Sequence, residues 1–142
     1  MNLDIKMLDN ELPVPTYSRD GDAALDCYSR ATISVAAYTT RKIPLGFSCA
    51  IPSEYVGLVS IRSGLSKDGL TLANAPGIID SNYRGEVCAL ITNNTENSIV
   101  ISRSQRIVQL LVLQAPAIET NVVDELDDTN RGQSGFGSSG QF

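Results

Sequence analysis

The residues best suited to chemistry lie in one short segment between two strand-like runs. Residues 74–86 read NAPGIIDSNYRGE and carry Asn74, Asp80 and Tyr83. An amide or exposed backbone can read the edge of a base, a carboxylate held in a pocket can deprotonate a water, and a tyrosine ring can pack under a sugar. The pair Pro76-Gly77 predicts a tight turn, so the segment is expected to be the projecting loop of a β-hairpin. Asp80 and Tyr83 have a plainer interpretation as residues that only shape this turn.

Two further features suit an anionic ligand. Arg62, Ser63 and Gly64 follow the run VGLVSI, and a guanidinium, a hydroxyl and backbone N–H groups at a turn together suit a phosphate. Such a triplet is also common in turns without a ligand. Gln109 interrupts the apolar run Ile107–Leu113, and a polar group inside a central strand needs a hydrogen-bond partner. That partner is either neighbouring backbone or a group of a functional site.

Composition excludes several classes of protein. The chain has 142 residues, which predicts one domain, and it contains no histidine, which excludes histidine-based triads and histidine metal ligands. The net charge of −5 is unsuited to tracking a nucleic-acid backbone. Three scattered cysteines predict free thiols of a reducing compartment. Because no signal peptide and no long apolar run are found, the chain is expected to be cytoplasmic, without nucleic-acid or membrane partners.

The elements that must position these residues are predicted to be β-strands. Short Val, Ile, Leu and Tyr runs are separated by Gly, Pro, Asn or Asp, and no helical period is sustained. Many short strands at this spacing predict a sandwich or a closed barrel. One helical turn is expected at Ser63–Lys67, and the strand candidates are 3–7, 31–36, 40–45, 47–51, 55–61, 70–73, 87–93, 98–101 and 106–113.

The composition changes near residue 124. An acidic stretch is followed by RGQSGFGSSGQF, which cannot build a core of its own. We therefore predict a domain over 1–123 and a flexible arm over 124–142, with Arg131 and Phe136 as groups that dock on something. The arm also spells G-x-G-x-x-G, but no strand and helix flank it as a dinucleotide site requires.

Five segments, taken in order, resemble the motifs of the trimeric dUTP pyrophosphatase (dUTPase) family. The third and fifth are the most specific of them. They are ALD at 24–26 with the preceding Ala, RSGLS at 62–66, NAPGIIDSNYRGE at 74–86, RSQRIVQL at 103–110 and RGQSGFGSSG at 131–140.

The resemblance implies an all-β fold, a jelly-roll-like β-barrel of the dUTPase-like β-clip type, assembled as a homotrimer with active sites shared between subunits. It implies hydrolysis of dUTP to dUMP and pyrophosphate, which limits uracil in DNA and supplies dUMP for dTMP synthesis. Mg²⁺ is the implied cofactor, with no direct protein ligand, because the substrate phosphates and waters would hold it. This is how proteins commonly bind that ion.

The resemblance also implies a role for each site residue. Asp80 would be the general base for the attacking water, and Asp26 would support it. Tyr83 would lie under the deoxyribose and leave no room for a 2′-hydroxyl. The implied uracil pocket consists of Asn74, Gly77 and Ile79. The implied contacts to phosphates or magnesium-bound waters are Arg62, Ser63, Gly64 and Gln109, with Asp26 and Gln109 behind the waters.

The arm would close over a site on a neighbouring subunit. Phe136 would stack on uracil, and the implied phosphate contacts of the arm are Arg131, Gly137, Ser138 and Ser139.

Two other functions remain open on the sequence. A dCTP deaminase relative would share the fold, but a longer chain and an S-S-x-G-R type turn would be expected in place of RSGLS. A nucleotide-sensing or partner-binding protein on the same scaffold would keep these residues with catalysis secondary.

Overall fold

The computed structural model describes residues 1–135, which fold into eleven strands and one short helix. No helix in this part of the chain has the length and apolar character needed to cross a membrane. In chain order the elements are β1 (Asp4–Met7), β2 (Leu25–Tyr28), β3 (Ile33–Val35), β4 (Thr40–Pro44), β5 (Phe47–Ala50), β6 (Tyr55–Ile61), α1 (Ser63–Lys67), β7 (Leu70–Leu72), β8 (Gly77–Ile79), β9 (Cys88–Asn93), β10 (Ile99–Ile101) and β11 (Arg106–Gln114).

The strands form four antiparallel sheets. The largest has the order β2-β11-β6-β8, and a second has the order β4-β9-β7. The pairs β1-β5 and β3-β10 complete the set, and the four sheets do not join into one closed ladder among the described residues. The architecture is all-β and of the jelly-roll class, as predicted.

One apolar core joins the four sheets. Each sheet contributes side chains that are almost fully buried, and burial of one such side chain stabilises the fold by about 1.5–3 kcal/mol. Examples from the four sheets in turn are Leu110, Ile91, Phe47 and Val35, each 0% exposed.

The predicted strand pattern is largely confirmed. β11 pairs with both β2 and β6 and is therefore a central strand. The helical turn at Ser63–Lys67 is present. β7 and β9, which flank the chemical segment, pair with each other as a hairpin requires.

Three local details differ from the prediction. β2 was not foreseen, because its sequence LDCY places a charged residue among apolar ones. β8 was not foreseen either, since it has only three residues. The turn spans residues 73–76, so it includes Pro76 of the predicted pair but ends before Gly77. Gly77 begins β8, where a Cβ would lie 3.3 Å from the Val59 Cβ, so a side chain there would crowd the neighbouring strand β6.

The three cysteines are free thiols, as expected. Cys27 and Cys49 are buried, and Cys88 is half-buried. Burial raises the pKa of the Cys27 thiol to about 12, so this group stays protonated and packs as an apolar residue.

Candidate active site

A polar cleft of about 270 Å³ opens at the end of the largest sheet. Asp26 on β2 lies at its base and is only 2% exposed. A buried carboxylate is costly unless other groups compensate its charge. The residues that line this cleft are Ser18, Arg19, Asp22, Asp26, Arg62, Arg106 and Gln109.

Four side chains compensate the Asp26 carboxylate. Arg62 Nε lies 3.0 Å from Oδ1, and Gln109 Nε2 donates to the same oxygen at 3.2 Å. Ser18 Oγ donates to Oδ2 at 2.6 Å, and Arg106 NH1 donates to Oδ2 at 3.1 Å. Both carboxylate oxygens are thus occupied, and Gln109 has the partner that its position in an apolar strand demanded.

These contacts decide the charge state of Asp26. Burial raises the pKa of this carboxyl, but the Ser18 hydrogen bond, the Arg62 charge and the donors from Arg106 and Gln109 lower it by more. The net pKa lies below the ordinary value. Asp26 is therefore an ionised group that orients its neighbours, and its saturated oxygens are poorly placed to accept a proton from water.

The sheet brings these groups together through two pairings. Gln109 lies opposite Asp26 on one side of β11 and opposite Ser60 on the other. The pairing of β11 with β2 is irregular between Arg106 and Val108. An extra residue at such a bulge reverses the alternation of side chains, which places Arg106 and Gln109 in the same cleft although they are three positions apart.

Arg62 leaves β6 at the same end of the sheet. Its backbone N–H donates to the Ile107 carbonyl at 3.1 Å, and the residue precedes α1. Ser63 and Gly64 follow it as exposed residues of the first helical turn. The first N–H groups of a helix have no intrahelical acceptor, so these backbone donors are available beside the guanidinium.

A second cleft, of about 350 Å³, lies against the loop between β7 and β9. We call it the hairpin cleft. It contains Asn74, Ile79, Asp80 and Tyr83, four of the residues predicted for base, sugar and water. The other lining residues are Lys42, Ile78, Glu86, Cys88 and Leu90.

The loop holds Tyr83 by its own backbone. The Tyr83 hydroxyl donates to the Glu86 carbonyl at 3.0 Å, and the Tyr83 N–H donates to the Asp80 carbonyl at 3.0 Å. A Cβ at Gly85 would collide with the Tyr83 phenol. The ring therefore lies against residue 85, which must be glycine in this conformation.

Asp80 differs sharply from Asp26. It is exposed, and no side-chain hydrogen bond to its carboxylate occurs among residues 1–135. Within that part of the chain, its oxygens are open to a water.

Most of the predicted site residues within 1–135 line one of two clefts, whereas Ser63, Gly64 and Gly77 line neither. Asp26, Arg62 and Gln109 line the polar cleft, while Asn74 and its neighbours on the hairpin line the other; no lining residue is common to both. Arg131 is exposed, and its Nε donates to the Ser134 carbonyl at 3.0 Å. Phe136, Gly137, Ser138 and Ser139 lie outside the described residues.

Sequence reasoning missed several groups in these clefts. Ser18, Arg19 and Asp22 precede the first motif without a pattern of their own. Arg106 lies within the fourth motif, but normal strand alternation places it on the face opposite Gln109. Lys42 lies on β4, far away in sequence, and only strand pairing opposite Leu90 brings it to the hairpin cleft.

Residues 115–135 follow β11 without a regular element. Ile118, Val122 and Leu126 are 84%, 96% and 86% exposed, respectively. The end of β11 at Gln114 is the last point of regular structure in the described chain. The division into a domain over 1–123 and a flexible arm stays a prediction.

No group of three or more His, Cys, Asp or Glu side chains within residues 1–135 is arranged to hold a metal ion. The oxygens of Asp26 are occupied by donors, as described above. Gln109 donates through its amide nitrogen, which leaves its amide oxygen to accept from a water. This donor set fits an ion that is bound through phosphates and waters, and it offers no all-protein cage.

Comparison with known proteins points to one family. The sequence model of the dUTPase family matches residues 10–140. A deoxyuridine 5′-triphosphate nucleotidohydrolase of Corynebacterium glutamicum is 41% identical over 139 residues, which cover 96% of this chain and 93% of that protein. The corresponding protein of Dictyoglomus turgidum is 40% identical over 141 residues, 96% of each chain.

A solved structure agrees with the sequence relatives. The dUTPase of Staphylococcus bacteriophage 80alpha, a G164S mutant with dUpNHpp, superimposes with a TM-score of 0.91. Its sequence identity is 27%, and the alignment covers 98% of both chains.

Proposed function

The chain belongs to the dUTPase family, and on that premise we propose that it hydrolyses dUTP to dUMP and pyrophosphate. The observation that carries the proposal is the division of its polar groups between a cleft lined by three arginines and a second cleft shaped by a rigid hairpin. The first suits a polyphosphate, and the second suits a nucleoside. The volume of the hairpin cleft, about 350 Å³, lies within the range of ligand pockets, roughly 300–1,000 Å³.

The hairpin would select the nucleoside. Asn74 and the backbone around Gly77 and Ile79 would hydrogen-bond the uracil edge, and the cytosine edge would then place donors against donors. Rejection of the thymine methyl would need a rigid wall, because a soft apolar pocket discriminates one methyl by only ~1–3 kcal/mol. Tyr83, held against Gly85 and the Glu86 carbonyl, would lie under the deoxyribose and exclude a 2′-hydroxyl.

Asp80 would be the general base. Its exposed carboxylate is free of side-chain partners among the described residues, so it would take the proton from a water that attacks the α-phosphate in line. In such a reaction the protein contributes chiefly position and charge stabilisation. Pyrophosphate would leave from the opposite side of the phosphorus.

The polar cleft would hold the phosphates. Arg62 and Arg106 each use one nitrogen on Asp26, which leaves their other guanidinium nitrogens for an anion. Ser63 and Gly64 would add a hydroxyl and backbone N–H groups. Asp26 would act by orienting both arginines and Gln109, so its role would be to support the base at a distance.

Mg²⁺ would bind through the substrate phosphates and waters, with Gln109 and the Asp26 network behind those waters. When bound, the ion would neutralise phosphate charge in the transition state and orient the leaving group. The net charge of −5 makes such local neutralisation necessary for a strongly anionic substrate.

A complete site would need more than one copy of the chain. Because the two clefts share no lining residue, the hairpin of one copy would face the polar cleft of another, in a homotrimer. The arm that contains Arg131 and Phe136 would close over a site of a neighbouring subunit, exclude water and complete the phosphate contacts. In the cytoplasm this activity would limit uracil in DNA and supply dUMP for dTMP synthesis.

The test is pyrophosphate release from dUTP with Mg²⁺, beside dTTP, dCTP and UTP, for the wild type and Asp80→Asn. We expect turnover of dUTP alone, and a loss of about 10²–10⁴-fold in kcat on substitution of the base. A folded trimer without turnover would remove the enzymatic proposal and favour a nucleotide-sensing role. Deamination of dCTP would favour the deaminase alternative.

A further inference from the structure

We propose that Glu86 is a positioning residue that sets the discrimination between deoxyribose and ribose. This inference rests on the proposed function, because Tyr83 is there assigned to the sugar. Glu86 itself lies at the base of the loop that carries Asp80 and Tyr83. Its carboxylate faces the body of the barrel and touches neither predicted reacting group.

Glu86 attaches the loop at residues 80–86 to the rest of the domain. Within the described residues, the side-chain hydrogen bonds that connect residues 80–86 to other elements come from the Glu86 carboxylate, apart from a weak contact of the Cys88 thiol to the Glu86 carbonyl. Glu86 Oε1 accepts from the Gly46 N–H at 2.9 Å and from Arg30 NH1 at 3.3 Å. The carboxylate therefore supplies the side-chain attachment of the loop to the rest of the domain, next to the backbone hydrogen bonds of Val87 with Phe47 and Leu45.

The two groups that the Glu86 carboxylate binds, on Arg30 and Gly46, are themselves held by neighbouring residues. Arg30 is held by the Leu8 carbonyl at 3.2 Å and by Asp9 at 3.7 Å. Asp9 is held in turn by Arg103. The Gly46 carbonyl accepts from the Leu8 N–H at 2.8 Å. Glu86 thus binds Arg30 and Gly46, and both of these residues are hydrogen-bonded to Leu8.

Glu86 is also linked to Tyr83, the residue assigned to the sugar under the proposed function. The Glu86 carbonyl accepts the Tyr83 hydroxyl at 3.0 Å, and the ring lies against Gly85. Any movement of residue 86 therefore moves the ring that would exclude a 2′-hydroxyl. The neighbouring Arg84 closes the same loop, since its NH1 donates to the Ser81 carbonyl at 2.7 Å and to the Tyr83 carbonyl at 2.9 Å.

A general loss of stability would lower turnover of both nucleotides alike, whereas a displaced Tyr83 would change their ratio. The experiment therefore measures kcat/KM for dUTP and for UTP in the wild type, Glu86→Ala and Glu86→Gln. For Glu86→Ala we expect the preference for dUTP to fall about tenfold, which corresponds to the loss of one hydrogen-bonded charged partner of ~1.4 kcal/mol. For Glu86→Gln the preference for dUTP should fall less, because the amide oxygen of the glutamine still accepts from the Gly46 N–H.

The matched control is Glu96→Ala. Glu96 is an exposed glutamate in the connection between β9 and β10, and it makes no ion pair among the described residues. The preference of the Glu96→Ala variant for dUTP over UTP should equal that of the wild type. A double-mutant cycle with Tyr83→Phe should show coupling, because the removed hydroxyl is the link to residue 86.

The outcomes separate the two proposals. A wild type without dUTP turnover contradicts the proposed function; binding of dUpNHpp against its ribose counterpart then tests Glu86 without turnover. A folded Glu86→Ala or Glu86→Gln protein that keeps the wild-type preference, in turnover or in binding, overturns the role of Glu86. So would a wild type that shows no preference between the two sugars.

Discussion

The polar cleft and the hairpin cleft each contain an aspartate, but the two aspartates have opposite environments. In the polar cleft, Asp26 is 2% exposed and saturated by four donors. In the hairpin cleft, Asp80 is exposed and its carboxylate has no side-chain partner among residues 1–135. One aspartate has a lowered pKa and holds arginines in place, while the other stays available to a water.

Under the proposed function, this contrast separates the aspartate that positions cations from the aspartate that activates water. A carboxylate that is paired with cations and hydrogen-bond donors has a lowered pKa and occupied oxygens, which makes it a weaker base. A carboxylate that accepts a proton must keep a free oxygen. The two roles therefore require two environments, which the sheet and the loop provide separately.

The sharpest way to break the contrast is to compare Asp26→Asn with Asp80→Asn. Asp26→Asn should lower the free energy of unfolding by about 2–3 kcal/mol, the low end for a broken buried pair, because both arginines keep contact with solvent. Asp80→Asn should change it by less than about 0.5 kcal/mol while removing most turnover. Chemical denaturation and kcat for both variants check this.

The opposite result would reverse the assignment of roles. If Asp80→Asn destabilised the fold and Asp26→Asn left it unchanged, Asp26 could not be the buried organiser of the polar cleft. Asp124→Asn, at an exposed position outside both clefts, serves as a control for the substitution itself.

A smaller effect is expected from Arg106→Gln. Loss of one phosphate-facing cation should lower kcat/KM for dUTP about 10–100-fold, equivalent to ~1.5–3 kcal/mol for a hydrogen bond to a charged group. Stability should fall by less than for Asp26→Asn, because Arg106 is 45% exposed and the Gln amide can still donate to the Asp26 carboxylate. Arg41→Gln, an exposed arginine on β4, should leave kinetics at the wild-type level; equal losses in both variants would mean that net charge alone matters.

Ser18→Ala tests the neutral donor that makes the shortest hydrogen bond to the buried carboxylate, at 2.6 Å. Its hydroxyl lowers the pKa of Asp26 and accepts from Arg106 NH1 at 2.9 Å. The folded pKa of Asp26 should therefore rise toward the ordinary value. Because a lowered folded pKa stabilises the protein above that value, stability at pH 7 should fall by about 1 kcal/mol. The loss of stability in acid should become shallower, as measured by denaturation over pH.

The smallest predicted effect concerns the network behind Glu86. The Arg103 hydrogen bond is the main cause that lowers the pKa of Asp9 from 3.8 to about 2. Its contribution to stability is thus complete above about pH 4 and is lost as pH falls toward 2. The stability difference between the wild type and Asp9→Asn should be constant near neutrality and shrink in that acid window; a constant difference down to pH 2 would contradict the assignment.

Much of the fold follows from local patterns. Alternation and apolar runs predicted most strands, and the nearly continuous apolar run around Gln109 predicted a central one, because such a run is typical of a strand covered on both faces. The elements that were missed, β2 and β8, are short and interrupted by polar or small residues, so their pairing with longer strands decides their structure.

Some features of the candidate site can likewise be predicted from the sequence, and others depend on long-range contacts. The types of its residues, their motifs and the need of Gln109 for a partner can all be inferred from the chain alone, because residue identity fixes which functional groups are present. The sequence alone does not show which of these groups come together in the folded chain. The bulge that brings Arg106 beside Gln109, the strand pairing that delivers Lys42, and the burial that makes Asp26 an organiser arise from long-range contacts. Register and desolvation are properties of packed strands, so only the tertiary structure could distinguish the buried, paired Asp26 from the exposed Asp80.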